Sequence, residues 1–250
     1  MLRQTLRLPS ASLILLCSLI AASTQAADFE VRSPLIDVHE FEYDTKFARG
    51  FDRRNSISKG QSLVSEFEYG VNAWWSPAIE GEWGKRLGAN EPMSFDGFTI
   101  ENRFQLAEHK AFWLDLGLFV EIERGRSGSP NAVRTGPLLR KDFGRLISLL
   151  NVVAVKESGV AARRRTAVAY AFQSKWALSD DFQPGLEIYG GAIETGASTP
   201  HQHLGGPAVF GVFNVGERQD FRYEVGYLFG LNSQAPRGTV KFLLGYEYRF

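Results

Sequence analysis

The sequence predicts an all-β protein, a closed antiparallel up-and-down transmembrane β-barrel of about 12 strands with short turns at one end and longer loops at the other. Two observations lead to this class. Runs of about ten residues alternate apolar and polar side chains, as strands with two different faces do. Short polar turns also recur at a regular spacing along the chain. Helical patterns with caps, by contrast, are hard to find.

Residues 1–26 are a predicted signal peptide. Arg3 and Arg7 give a basic start, residues 13–20 form a short apolar core, and small residues suited to cleavage follow. The apolar run is too short for a stable transmembrane helix. We therefore expect the barrel to be formed by residues 27–250 after export.

Charge and cysteine content exclude several classes of protein. The chain has 28 basic and 28 acidic residues, and removal of Arg3 and Arg7 leaves a charge of about −2, which does not suggest a nucleic-acid-binding protein. Cys17, the only cysteine, lies within the predicted signal peptide. The mature chain would therefore contain no disulfide and no cysteine-ligated metal.

The turns divide the chain into regular units. Their first residues are spaced by 37, 35, 36 and 38 positions, and each interval holds two strand-like runs and one longer, more polar connection. Such spacing is typical of a meander of hairpins. The predicted turns are 70–73, 107–110, 142–145, 178–181 and 216–219.

Twelve strand-like runs can be counted, with a long polar stretch at 44–60 after the first. An even count places both termini at the end that carries the short turns. Closure would also remove the edge strands, whose unpaired backbone groups a bilayer cannot satisfy. The runs are 35–43, 61–69, 74–83, 97–106, 111–123, 132–141, 146–156, 164–176, 182–193, 206–215, 221–231 and 239–250.

The two faces of most runs differ sharply, which a soluble sandwich would also show. Two features favour a membrane. Charged residues are missing from the apolar face, where each would cost about 2–4 kcal/mol at the bilayer midplane. Aromatic residues also gather near the short turns, as in an interfacial girdle; these are Tyr69, Trp74, Trp75, Phe112, Trp113, Trp176, Phe182 and Phe221. Runs 146–156 and 206–215 are apolar on both faces and cannot be oriented, and we expect inward apolar residues to pack against a loop or plug.

Inward charges are predicted to segregate by sign, with an acidic wall from the early runs and a basic wall from runs six to eight. An open lumen of this kind would orient polar solutes, whereas a closed lumen would pair the charges across a narrow gap. The candidate lumen and selectivity residues are Glu66, Glu68, Glu80, Glu82, Glu101, Arg103, Glu121, Arg134, Arg140, Arg165 and Lys175.

The last run alternates regularly and ends the chain on Tyr246, Tyr248 and Phe250. With the signal peptide and the alternating strands, this ending resembles Gram-negative outer-membrane β-barrel proteins, whose assembly machinery reads a C-terminal aromatic residue. The resemblance implies a bacterial outer-membrane location, surrounding lipid, and a monomer recognised by that machinery. In strand number the chain is similar to small twelve-stranded channels for acidic sugars. Those lumens are lined mainly by arginine, so their substrate class is not carried over to this glutamate-rich chain.

The sequence favours a porin-like channel for a small polar or charged solute, with an occluded structural barrel as the alternative. A third hypothesis is an outer-membrane lipid hydrolase, a phospholipase or deacylase. That chemistry needs a serine held beside a histidine, and no such pair is evident. His201 and His203 form a weak metal candidate without a third ligand. No cofactor and no catalytic residue are predicted.

Overall fold

The computed structural model of the chain describes residues 29–54, 60–85, 92–160, 162, 165–191 and 202–250. The predicted signal peptide lies outside these residues. Within them, no helix is long and apolar enough to cross a membrane. The twelve strands are β1 Glu40–Phe51, β2 Gln61–Tyr69, β3 Trp75–Lys85, β4 Ser94–Gln105, β5 Asp115–Gly125, β6 Asn131–Phe143, β7 Leu146–Ser158, β8 Ala167–Trp176, β9 Gln183–Gly191, β10 Gln202–Gly216, β11 Gln219–Gly230 and β12 Gly238–Arg249.

The strands form one closed barrel, and the predicted fold is confirmed. Each strand pairs antiparallel with the next in sequence, and β1 pairs with β12 to complete the ring. That closing seam runs from Glu40 opposite Arg249 to Phe51 opposite Gly238. Because the sheet has no edge, every strand finds backbone partners on both sides, as a bilayer requires.

The two ends of the barrel differ. All five predicted turns lie at the end where β1 begins and β12 finishes, which we call the short-turn end. Two of its connections, 144–145 and 217–218, are only two residues long. Gly144 adopts a φ of 64°, which a residue without a Cβ reaches without strain. The connection 106–114 is longer than predicted. The opposite end, which we call the loop end, carries the other six connections.

The outer surface of the barrel is apolar, as the alternation predicted. Ile79, Ile122 and Val225 each expose about half of their surface along the middle of their strands. Trp74, Phe112, Trp113 and Trp176 are exposed at the short-turn end, where the girdle was expected. The charged side chains that alternate with these apolar residues along the strands point into the barrel. The predicted assignment of the two faces is therefore confirmed.

The first strand is the main correction to the predicted boundaries. The sequence placed it at 35–43 and treated 44–60 as a polar connection, but β1 runs from Glu40 to Phe51. The reason is that its inward side chains, Asp44 and Lys46, are buried polar residues of the lumen, while Phe47 faces outward on the other side. Residues 35–39 lie before the strand and do not join the sheet.

The lumen as the candidate functional site

The lumen is occupied by residues 29–36, which we call the inner segment. At the short-turn end the Ile36 amide donates to the Gln105 side chain at 2.9 Å. Near the loop end the Tyr189 hydroxyl donates to the Phe29 carbonyl at 3.0 Å. Gln105 finishes β4 and Tyr189 lies near the far end of β9. The inner segment therefore passes through the barrel between its two ends.

The barrel wall is shaped to accept this segment. Pro34 packs on Gly117 of β5, where an added Cβ would lie 2.9 Å from the Pro34 Cβ. The Arg32 amide donates to the Asn151 side-chain oxygen at 2.7 Å, and the Asn151 amide group donates back to the Arg32 carbonyl at 2.9 Å. A side chain of β7 thus satisfies both backbone groups of Arg32, which would otherwise be buried without partners.

An apolar cluster surrounds the segment near the loop end. Val31 packs with residues of β7, β9, β10, β11 and the last loop, namely Leu149, Tyr189, Leu204, Leu228 and Ala235. The Phe29 ring meets the Tyr189 ring edge-on, with centroids 5.2 Å apart. Leu149 comes from run 146–156, which the sequence could not orient, whereas Leu204 lies in β10 just before the predicted run 206–215. Their inward side chains pack against an internal plug, as expected.

Arg32 is bound to the predicted acidic wall. Its Nε lies 2.9 and 2.8 Å from the two carboxylate oxygens of Glu101, and its Nη2 lies 3.5 Å from Glu80. The guanidinium carbon also sits 4.7 Å from the centroid of the Phe119 ring. Glu101, Glu80 and Phe119 are all buried and come from three neighbouring strands. The segment therefore contributes a cation where the wall is acidic.

Lys46 is a second cation within the acidic wall. Its ammonium group donates to Glu66, to Glu30 of the inner segment at 2.5 Å, and to Glu80 at 3.5 Å. Arg103 likewise donates to Glu68 and, at 3.0 Å, to the Ser33 carbonyl. Close carboxylates would otherwise repel one another, and these cations relieve that repulsion.

The predicted separation into acidic and basic walls is only partly seen. Arg134 pairs with Glu121 and, at 2.6 Å, with Glu123 of the neighbouring strand, rather than facing an open lumen. Glu82 accepts a hydrogen bond from Thr99 at 2.6 Å. Arg165 was predicted to face inward, but β8 begins only at Ala167, so Arg165 lies exposed in the preceding connection.

A cavity of about 240 Å³ remains beside the inner segment. Arg140, Gln173 and Lys175 line one side, and the other side includes Glu68 and Glu101. Arg140 is bonded to Asp142 at 2.9 Å. Among the described residues Lys175 joins no ion pair, and its ammonium group lies 5.2 Å from the Phe210 ring centroid. Charges of both signs therefore line the cavity without a clean separation, since Arg103 and Glu224 also line it, and there is room for a small polar molecule.

Sequence reasoning missed several charged residues of the lumen, among them Asp44, Lys46, Glu30 and Arg32. Asp44 and Lys46 were assigned to a connection, although Tyr43, Phe47 and Phe51 continue the alternation and could have revealed the longer strand. Glu30 and Arg32 lie before the first predicted run, where the alternation covers only residues 29–32 and is too short to indicate a strand. Arg222 of β11 also points into the lumen and is bonded to Asp44 and Glu42.

The histidines within the described residues form no arrangement suited to hydrolysis. In the described residues, His39 lies 3.3 Å from the Tyr69 hydroxyl, His109 lies 2.9 Å from Asp115, and His203 lies 3.0 Å from the Tyr170 hydroxyl. None of these contacts supplies a nucleophilic serine. His201, the other half of the weak metal candidate, lies outside the described residues.

The C-terminal aromatic residues lie on the outer face at the short-turn end. Phe250 follows β12, its ring packs edge-on against Tyr248 and Tyr69, and its amide donates to the His39 carbonyl at 3.0 Å. Tyr246 packs against Phe221 with ring centroids 5.3 Å apart. This places the predicted assembly signal beside the aromatic girdle, and its recognition by assembly machinery remains a prediction.

A closed twelve-stranded barrel with an apolar exterior and an ionic interior is the architecture of transmembrane β-barrels of bacterial outer membranes. Among solved structures, the chain is similar to the KdgM porin, with a TM-score of 0.52 and 13% identity over 84% of this chain and 99% of that one. It is also similar to the KdgM porin in complex with disordered oligogalacturonate, with a TM-score of 0.51 and 12% identity over the same shares. At this identity the likeness concerns the fold. No protein-family model and no curated protein matches the sequence.

Proposed function

We propose that the protein is a porin-like channel of the outer membrane for a small polar or charged solute. The observation that carries this proposal is the polar cavity of about 240 Å³ inside a closed barrel whose exterior is apolar. The acidic side chains that line the cavity, together with cations such as Arg140 and Lys175, would orient a dipolar solute. The solved porins of this fold, at 12–13% identity, agree with a channel but do not identify its solute.

The inner segment closes this channel in the proposed function. Val31 and its apolar neighbours pack inside the barrel towards the loop end, and in this proposal they block the solute while the segment is in place. Passage then requires residues 29–36 to leave the lumen or to shift within it. Planar-bilayer recording of the refolded protein tests this, with rare discrete conductance steps expected for the wild type.

Selectivity in the open channel is proposed to come from the acidic wall. The test is a variant with four neutralised carboxylates, Glu66→Gln, Glu68→Gln, Glu80→Gln and Glu82→Gln, recorded under a salt gradient. We expect the reversal potential to move from a cation-selective value towards zero. A reversal potential equal to that of the wild type would reject the assigned role of this wall.

The second candidate function is an occluded structural barrel, which is favoured by the buried ion pairs between the inner segment and the wall. A cross-link separates the two functions, because the predicted mature chain contains no cysteine. In the double variant Pro34→Cys and Gly117→Cys, the two Cβ atoms would start 2.9 Å apart, so a disulfide forms once a small shift of the inner segment separates them to about 3.5–4.5 Å. The single cysteine variants are the controls.

A gated channel predicts that oxidation of the double variant abolishes conductance steps and that reduction restores them. The single variants would be insensitive to oxidation. Absence of steps in the wild type, in the reduced double variant and in forms with a disrupted inner segment would instead support the structural barrel.

The biological setting is part of the same proposal. We propose export by the signal peptide of residues 1–26, a barrel formed by residues 27–250, assembly through the C-terminal aromatic residues, and function as a monomer in lipid. The closed sheet supports the last point, since each strand is fully paired within one chain. Mass determination of the protein extracted from the membrane tests both the cleavage site and the monomeric state.

A further inference from the structure

Arg32 is held by the barrel wall in the manner of a bound ligand. Both oxygens of Glu101 lie within 2.9 Å of its Nε, and Glu80 lies near its Nη2. The Phe119 ring covers the guanidinium group at 4.7 Å. A carboxylate at the edge of the guanidinium plane and an aromatic ring over its face are the two contacts that distinguish this group from a simple ammonium ion.

The groups that hold Arg32 belong to the rigid part of the molecule. Glu80, Glu101 and Phe119 project from β3, β4 and β5, which are paired in sequence within the sheet. Arg32 belongs to a segment that makes no strand pairing in the described chain. The pocket would therefore persist if the inner segment left the lumen.

Departure of Arg32 would leave the pocket in need of another cation. Glu101 is only 1% exposed, and within the described residues it accepts hydrogen bonds from Arg32 alone. A buried carboxylate without a partner is strongly unfavourable, so such a pocket attracts a replacement cation or a proton. The pocket is also reachable, because Glu101 and Arg32 both line the 240 Å³ cavity.

We propose that Glu80, Glu101 and Phe119 form a binding site for guanidinium-bearing solutes, which the chain fills with its own Arg32 when the lumen is closed. The solute and the inner segment then compete for one site. Lys46 and Arg103 form ion pairs with the neighbouring Glu66 and Glu68. Glu101 would therefore be the carboxylate that most needs a replacement cation. The consequence for transport rests on the proposed channel function, whereas the binding site itself does not.

The test is direct binding of N-propylguanidinium, which reproduces the Arg32 side chain, to the refolded full mature chain. In the variant Arg32→Ala we expect saturable binding by titration calorimetry, at least tenfold tighter than to the wild type. N-propylamine, with a similar chain but an ammonium head, would bind at least tenfold more weakly. The matched control is Arg54→Ala, which removes a loop arginine bonded to Asp52 and would bind like the wild type.

Folding of each variant is checked by circular dichroism and by heat-dependent gel mobility. If Arg32→Ala does not fold, Arg32→Gln keeps the volume of the side chain and removes its charge, and the same titration applies. A folded Arg32 variant that does not bind N-propylguanidinium would overturn the proposal, as would equal binding of the amine. Addition of Glu101→Gln to the Arg32 variant is expected to abolish binding. Unchanged binding would show that Glu101 is not part of the site.

The proposed binding site and the proposed channel function can be rejected independently of each other. Binding without conductance in any variant would keep the site and reject the channel. Conductance without binding would keep the channel and reject the site. If the protein both binds N-propylguanidinium and conducts, this compound is expected to lower the current through a variant with a disrupted inner segment. N-propylamine at equal concentration would not lower it.

Discussion

The substitution Val31→Asp is expected to open the lumen while leaving the barrel folded. Val31 is 6% exposed and packs among Leu149, Leu204 and Leu228. Loss of its burial removes about 1.5–3 kcal/mol, and an unpaired carboxylate in this cluster adds several kcal/mol more. Since each 1.4 kcal/mol changes an equilibrium about tenfold, even a total of about 3 kcal/mol would raise the open population roughly 100-fold.

The assay is the single-channel open probability of the refolded chain in planar bilayers. The matched control is Val38→Asp, which places the same charge seven residues later, where the side chain is 44% exposed and lies outside the apolar cluster. We expect Val38→Asp to behave like the wild type. An open probability for Val31→Asp that equals the wild-type value, in a barrel that migrates as folded, would refute the role of the inner segment as a gate.

Two further predictions concern the outer face. Gly190→Val is expected to destabilise the barrel by about 1–3 kcal/mol, because the added Cβ would lie 2.3 Å from the Tyr170 ring and 2.7 Å from the His203 Nδ1. The urea midpoint should recover in part with Tyr170→Ala and further when His203→Ala is added, and no recovery in either variant would contradict this steric account. Phe250→Ala is expected to reduce assembly into the outer membrane of cells but to change the unfolding free energy of the purified barrel by less than about 1.5 kcal/mol. The control for Phe250→Ala is Phe213→Ala, on the exposed face of β10. Equal yields of these two variants in the outer membrane of cells would contradict an assembly signal at Phe250.

The barrel could be predicted because its strands carry a local pattern. Alternation of Phe67 with Glu66 and Glu68, or of Ile79 with Glu80, records which side chain meets lipid and which meets the lumen. The same reasoning placed the five turns at one end. It failed for β1, where a polar inward face made Asp44 and Lys46 resemble a loop.

The contents of the lumen could not be predicted from local patterns. Arg32 meets Glu101 at a separation of 69 residues and Asn151 at 119 residues, so the sequence near Arg32 does not indicate either partner. The prediction of opposite walls also counted only the charges carried by the strands. Once a segment with its own charges lies inside, cations such as Lys46 bridge the segment to the wall.

The order of charges in the inner segment matters more than their sum. Glu30 meets Lys46 at 2.5 Å, while Arg32 meets Glu101 at 2.8 Å, so an exchange of the two residues would oppose like charges at both contacts without changing the net charge. Breaking even one such buried pair costs about 3–5 kcal/mol. The double variant Glu30→Arg and Arg32→Glu should therefore raise the open probability more than about tenfold.

A compensated form of this variant gives a stricter test, because it restores both contacts by a further exchange on the wall. Lys46→Glu and Glu101→Lys should then lower the open probability again, but only in part, because Lys46→Glu also sets a carboxylate against Glu66 and Glu80. If the first exchange leaves the channel as closed as the wild type, the ion pairs of the inner segment do not hold it in the lumen. Closure would then depend on the apolar cluster around Val31 alone. In that case Val31→Asp would raise the open probability, whereas exchange of the charges would not.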